Sequence, residues 1–90
     1  MAEKRNKIKI IHDILVAIQQ KGGKIKPTHL LYKSNLSYQR MNEYIKELKQ
    51  KQFVEELEEK DKKFFTITDK GDMFLQEYSK IINFTESFGL

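Results

Sequence analysis

Between residues 5 and 20 the apolar positions Ile8, Ile11, Ile14, Leu15 and Ile18 recur at steps of three and four, with Ile10, Val16 and Ala17 widening the stripe. That spacing gathers them on one side of a 3.6-residue spiral and predicts an amphipathic helix from Arg5 to Gln20. Gly22-Gly23 ends it, because glycine takes the left-handed terminal conformation without steric cost. The "KIK" that follows fits a short extended piece, and Pro27, with its preset backbone angle, opens a short helix reaching about Lys33 and carrying Leu30 and Leu31. Ser34-Asn35-Leu36 has turn chemistry, and Ser37 is placed to accept a hydrogen bond from an unpaired amide of the next helix. On that third helix, over about 37–51, Tyr38, Met41, Ile45 and Leu48 share one side with Tyr44 on its flank.

After it the pattern changes period. "FVEELE" and "KFFTIT" are short runs rich in β-branched and aromatic residues, separated by the wholly charged "EKDK", and predict an antiparallel hairpin. Thr68 can cap a last helix over 68–85, with Asp69 in its first turn and Phe74, Leu75, Tyr78, Ile81 and Ile82 as its apolar face; the closing "NFTESFGL" is expected to fray or to dock late. No repeat, linker or low-complexity block interrupts the series, so residues 1–90 read as a single domain, mainly α with a small β-hairpin. The order helix, short strand, helix, helix, two-strand wing, helix is that of a winged helix-turn-helix.

Composition narrows the function classes. With 39% hydrophobic and 33% charged residues the chain is globular in character. It lacks any apolar run of the roughly 18–20 residues a membrane span needs, and charge stands where a signal peptide would be apolar, so a cytoplasmic location is expected. Outside a secretory route, Asn83-Phe84-Thr85 is a chance match to a glycosylation pattern. The absence of cysteine removes disulfides, thiol nucleophiles and thiolate metal sites. The net charge of +4 hides an asymmetry: residues 1–51 hold 12 Lys/Arg against 4 Asp/Glu, and residues 52–90 hold 5 against 9. Clustered basic charge suits a polyanion such as nucleic acid, while the plain alternative is lysines that keep helix surfaces soluble.

Catalysis finds no support. There is no phosphate loop or glycine fingerprint, and His12 and His29 lie on separate elements without metal-ligand spacing, each better suited to a structural or surface role. The acidic run Glu55 to Glu59 fits a solvated strand edge. Neither enzyme activity nor a metal or cofactor is expected. The third helix is different. In a helix-turn-helix the second helix enters the major groove with its N-terminal half, here the half holding Ser37, Gln39, Arg40 and Glu43. Arginine pairs with guanine and glutamine with adenine, so Gln39 and Arg40 suit base edges, whereas Ser37 and Lys46 suit phosphates. Glu43 would repel phosphate unless it accepts from cytosine or holds Arg40. Tyr38 and Asn42 on the same helix, and Lys26 and Thr28 ahead of it, complete the candidate set. The competing reading is an ordinary wet helix.

"KPTHLLYKSNLSYQRMNEYIKELKQKQFVEE" followed by "FFTITDKGDMFLQEY" resembles the small archaeal winged-helix DNA-binding proteins, which include chromatin-type dimers pairing through a C-terminal helix. The resemblance spans roughly residues 8–80 and rests on Tyr32, Leu36, Ser37, Thr68, Lys70, Gly71, Phe74 and Leu75. It implies binding of double-stranded DNA, with the helix from Ser37 in the groove and the hairpin on the flanking backbone through Lys60, Lys62 and Lys63 at the wing tip. Two departures stand out. Gln52 replaces a usual glycine after the third helix, so a different cap geometry is expected there, and the wing from Glu55 to Lys63 carries a balance of −2. Leu75, Tyr78, Ile82, Phe84 and Phe88 on and after the last helix exceed what a small core covers, so a homodimer through that helix, with the first helix as a second contributor, is expected. The expected function is a transcription regulator or small nucleoid-associated chromatin protein; the alternative is a winged-helix protein-interaction module in a larger assembly.

Overall fold

The computed structural model describes residues 6–90. Helix α1 runs Lys7–Gln20, because the Asn6 side chain accepts from the Lys9 amide at 2.8 Å and caps the first turn. The expected start at Arg5 lies outside the described residues. Ile10, Ile11, Ile14, Leu15, Ala17 and Ile18 are buried, but Ile8, assigned to the same stripe, is 48% exposed. The Gly22 amide bonds to the Gln19 carbonyl and the Gly23 amide to that of Ile18, the crossed pair of bonds that closes a helix when the next residue turns left-handed.

Strand β1 (Lys24–Ile25) leads into α2 (Pro27–Ser34). The helix takes in Ser34, expected in the turn: it is buried, and its hydroxyl donates to the Leu31 carbonyl at 3.3 Å. The chain then leaves through Asn35 at φ 58°, which asparagine tolerates better than most side chains. Ser37 caps α3 (Tyr38–Gln50), its oxygen accepting from the Arg40 amide at 3.1 Å.

Strands β2 (Val54–Glu59) and β3 (Lys62–Ile67) pair antiparallel, and β1 joins the far side of β3 to give the order β1-β3-β2. Glu59 and Lys62, expected in the link, are a cross-strand pair, so the turn is only Lys60-Asp61, both at positive φ. Alternation sends Val54, Phe65 and Ile67 inward with Ile25, and leaves Leu57, Phe64 and Thr66 on the other face.

Helix α4 (Asp69–Ser87) starts on Thr68, whose oxygen accepts from the Gly71 amide at 3.1 Å and whose hydroxyl donates to the Gln52 carbonyl at 2.6 Å. The side chain thus ties α4 to the end of α3. A methyl group on Gly71 would stand 2.6 Å from the Phe53 carbonyl and 2.7 Å from an Ile67 side-chain carbon, so only glycine admits this approach. Contrary to expectation, Gln52 does not change the cap after α3. It sits at φ 66°, with the Phe53 amide on the Leu48 carbonyl and the Gln52 amide on that of Lys49, the same crossed bonds as after α1. A side chain here costs about 1 kcal/mol relative to glycine.

The core gathers α1's stripe, Ile25, Leu30, Met41, Ile45, Leu48, Val54, Phe65 and Leu75. α4 lies antiparallel along α1: Gln19 donates to Asp72 at 2.9 Å, and the half-buried His12 ring stacks on Tyr78 at 4.4 Å while meeting Asp13 at 2.9 Å. The "NFTES" segment is helical rather than frayed, with Thr85 and Ser87 hydroxyls bonding back to the Ile82 and Phe84 carbonyls. Phe74 and Tyr78 are partly covered, whereas Ile81, Ile82, Phe84 and Phe88 stay exposed.

Candidate nucleic-acid interface

Met41, Ile45 and Leu48 fix one face of α3 in the core. At 3.6 residues per turn the opposite line holds Gln39, Glu43, Lys46 and Gln50, all exposed. Gln39 donates to the Glu43 carboxylate at 3.5 Å along that line. Arg40 occupies the flank nearer α1, where its guanidinium lies 5.6 Å from the Tyr44 ring centre and reaches the Tyr44 oxygen at 3.5 Å. Tyr44, and not Glu43, therefore holds Arg40. On the same flank Lys7 bridges to Glu47 at 2.8 Å, and that bond keeps the Lys7 ammonium charged to higher pH than usual. Tyr38 departs from its expected place on the core side. It is 66% exposed, although Met41 in the same turn is buried.

Asn42 and Lys49 form the other flank, which faces the wing. Lys49 reaches the Glu56 carboxylate at 2.5 Å, and Lys63 approaches the same oxygen at 3.5 Å while its ammonium lies 5.7 Å from the Phe65 ring centre. The two lysines depress the Glu56 carboxyl below the usual range, the Lys49 hydrogen bond being the main cause. Glu59 pairs with Lys24 at 2.6 Å, and Lys24 also lies over Phe64. Body lysines therefore neutralise part of the wing's acidity. Lys60 and Lys62 at the tip are exposed and make no ion pair among the described residues, and the same holds for Lys46.

Lys26 and Thr28 are exposed at the start of α2, where Lys26 takes the cap position without a side-chain bond. Beside them His29 is held below its ordinary 6.5 by desolvation and by the charges of Lys21 and Lys33, which marks this edge as basic. The expected residues thus form three groups: Ser37 to Lys46 on α3, Lys60 to Lys63 on the wing, and Lys26 with Thr28. The Lys49–Glu56–Lys63 contact joins the first two. Lys49 and Tyr44 were missed; Lys49 follows Asn42 and Lys46 by seven and three positions, a helical spacing visible in the sequence. Among the described residues no group of His, Asp or Glu could hold a metal ion, and no helix is long and apolar enough to cross a membrane.

The sequence profile of the winged helix-turn-helix family matches residues 4–86. The chain belongs to that family. An uncharacterized protein of Methanocaldococcus jannaschii, MJ0290, is 32% identical over 78 residues, covering 87% of this chain and 34% of the relative, so the chain spans about a third of that protein's length. Among solved structures, Sso10a-2, a DNA-binding protein from Sulfolobus solfataricus, superposes with a TM-score of 0.78 at 24% identity, over 93% of this chain and 85% of that one. AF1382 from Archaeoglobus fulgidus gives 0.71 at 23% identity, over 90% and 91%. These likenesses share the fold. Within this winged helix, α3 presents an amide, a carboxylate and an ammonium along one outward line, with a guanidinium on one flank and two ammonium groups bridged by a carboxylate on the other. Such a set can hydrogen-bond planar polar edges at its centre and oxyanions at its sides.

Proposed function

We propose that this winged helix binds double-stranded DNA, with α3 in the major groove and the wing on the flanking backbone, as a transcription regulator or small chromatin protein rather than an enzyme. One observation carries the reading: Gln39, Arg40, Glu43 and Lys46 are all exposed on a helix whose other face is locked into the core, so a rigid polar ridge stands clear of the body. The basic balance of residues 1–51 supports it, and so does the DNA binding named for the Sulfolobus protein. Ser37 acts first as the cap of α3, its hydroxyl hydrogen remaining available to a phosphate. Gln39 and Arg40 address base edges; Lys46, Lys60 and Lys62 address phosphates, with Tyr38, Asn42, Lys26 and Thr28 at the margins. The site of action is the nucleoid.

Two copies pair through the far end of α4, where Ile81, Phe84 (64% exposed) and Phe88 (67% exposed) lie largely open, and the pair engages DNA through its two α3 helices. Sedimentation that finds only monomer at high protein concentration removes the dimer. For the DNA reading, titration of a random duplex at two or more salt concentrations should give a log–log slope near −5 if about six phosphates are contacted. Replacing Arg40 and Lys46 together with alanine should weaken binding about tenfold without lowering the melting temperature. Unchanged affinity removes α3 from the interface, and salt-insensitive or absent binding, with a stable protein partner, favours an interaction module.

A further inference from the structure

At the contact between α3 and the wing a carboxylate stands between two ammonium groups. Lys49 stands in the last turn of α3 on its wing-facing flank, Lys63 comes from β3, and Glu56 of β2 lies between them with one oxygen 2.5 Å from the first ammonium and 3.5 Å from the second. All three side chains remain partly open to water. Exposed pairs of this kind contribute little to stability, so holding the fold together is a weak reason for the arrangement.

A helix with its side chains is about 10–12 Å across and the major groove about 12 Å wide, so a helix in the groove turns its outermost line to the bases and its flanks to the phosphate walls. In α3 the outermost line is Gln39, Glu43, Lys46 and Gln50, and Lys49 is on a flank. The wing continues from that flank. We infer that Glu56 is a built-in phosphate mimic: in the free protein its carboxylate fills a seat between Lys49 and Lys63 that a DNA backbone phosphate takes over on binding. The inference rests on the DNA-binding reading and adds to it a phosphate site, a contact residue in Lys49 and a brake in Glu56.

The chemistry of the exchange is balanced. A phosphodiester carries one negative charge and two free oxygens, enough to accept from both ammonium groups at once, whereas the contacts shown by Glu56 go through a single oxygen. The displaced carboxylate is left close to DNA without its partners and must recruit a cation from solution. Binding is therefore weaker, and less sensitive to salt, than the count of lysines suggests. Glu55 offers an internal control. It is exposed on the same strand and carries the same charge, but it is paired across from Thr66 on the opposite face of the sheet.

Fluorescence anisotropy of a labelled random-sequence duplex, titrated with the full chain at several salt concentrations, tests this. Glu56→Gln should bind about threefold more tightly than the wild type at low salt, with a salt slope steeper by about one. Lys49→Ala should bind more weakly, and in its background the gain from Glu56→Gln should shrink, since half of the seat is gone. Glu55→Gln should gain less than Glu56→Gln. The inference is overturned if the wild type binds duplex DNA while Glu56→Gln binds no more tightly, or if Glu55→Gln gains as much, which would reduce the effect to net charge. A wild type that binds no duplex in any salt overturns the DNA reading and this inference with it. Melting curves of each variant guard against a folding defect.

Discussion

Helices α3 and α4 enter the same core and leave it in opposite ways. Each buries one side, α3 through Met41, Ile45 and Leu48 and α4 chiefly through Leu75 with Phe74 and Tyr78 beside it. What remains outside differs in kind. The uncovered side of α3 is chiefly amide, carboxylate, guanidinium and ammonium, whereas the uncovered end of α4 adds Ile81, Ile82, Phe84 and Phe88 to its polar residues, with the Phe84 and Phe88 rings 4.9 Å apart. A polar ridge on a rigid base suits a partner that offers hydrogen-bonding edges and charge. An apolar end that outruns its own protomer suits a protein surface, most simply another copy of itself. On the proposed function, the two partners would therefore meet different helices.

That contrast can be broken at either helix. Leu48→Ala removes a fully buried side chain from the inner face of α3 and should destabilise the domain by about 2–5 kcal/mol in a urea melt; a loss below about 1 kcal/mol would mean that α3 is not anchored as described. Phe84→Ala is the same kind of truncation on the outer end of α4, and it should leave the melt of the dilute protomer unchanged. Self-association should fall about thirtyfold by sedimentation, the scale of a central interface aromatic. If the dilute protomer instead melts much earlier, Phe84 is core and the two helices are alike. The smallest effect concerns how α3 ends. Gln52→Gly relieves a left-handed non-glycine residue and should raise stability by about 0.5–1 kcal/mol, with duplex affinity unchanged.

Much of this was legible in the sequence, for identifiable reasons. The stripes of α1 and α3, the caps at Ser37 and Thr68, and the hairpin all depend on residues close in sequence, where spacing and turn chemistry decide the outcome. The misplacements share a cause. Periodicity assigns Ile8 and Tyr38 to a face but does not say which positions of that face the rest of the chain covers, and both, the outermost apolar residues of their helices' first turns, stay exposed. The sequence suggests a longer wing turn than the two residues Lys60-Asp61, because that pair lacks the glycine that usually signals a two-residue turn. Gln52 holds a glycine-like conformation in a segment tied down by a hydrogen bond from Thr68, sixteen positions away. Within the site, the exposed positions of Gln39, Arg40, Glu43 and Lys46 followed from counting turns. The Lys49–Glu56–Lys63 contact did not, since it exists only once the wing has folded back against α3.

The division of labour between the two helices is tested most directly by an NMR titration of the isotope-labelled protein with a random duplex. The largest backbone amide shifts should fall on Gln39, Arg40, Glu43 and Lys46, with the wing tip next and the amides from Ile81 to Phe88 nearly still. Shifts concentrated at the end of α4, with α3 unmoved, would contradict it.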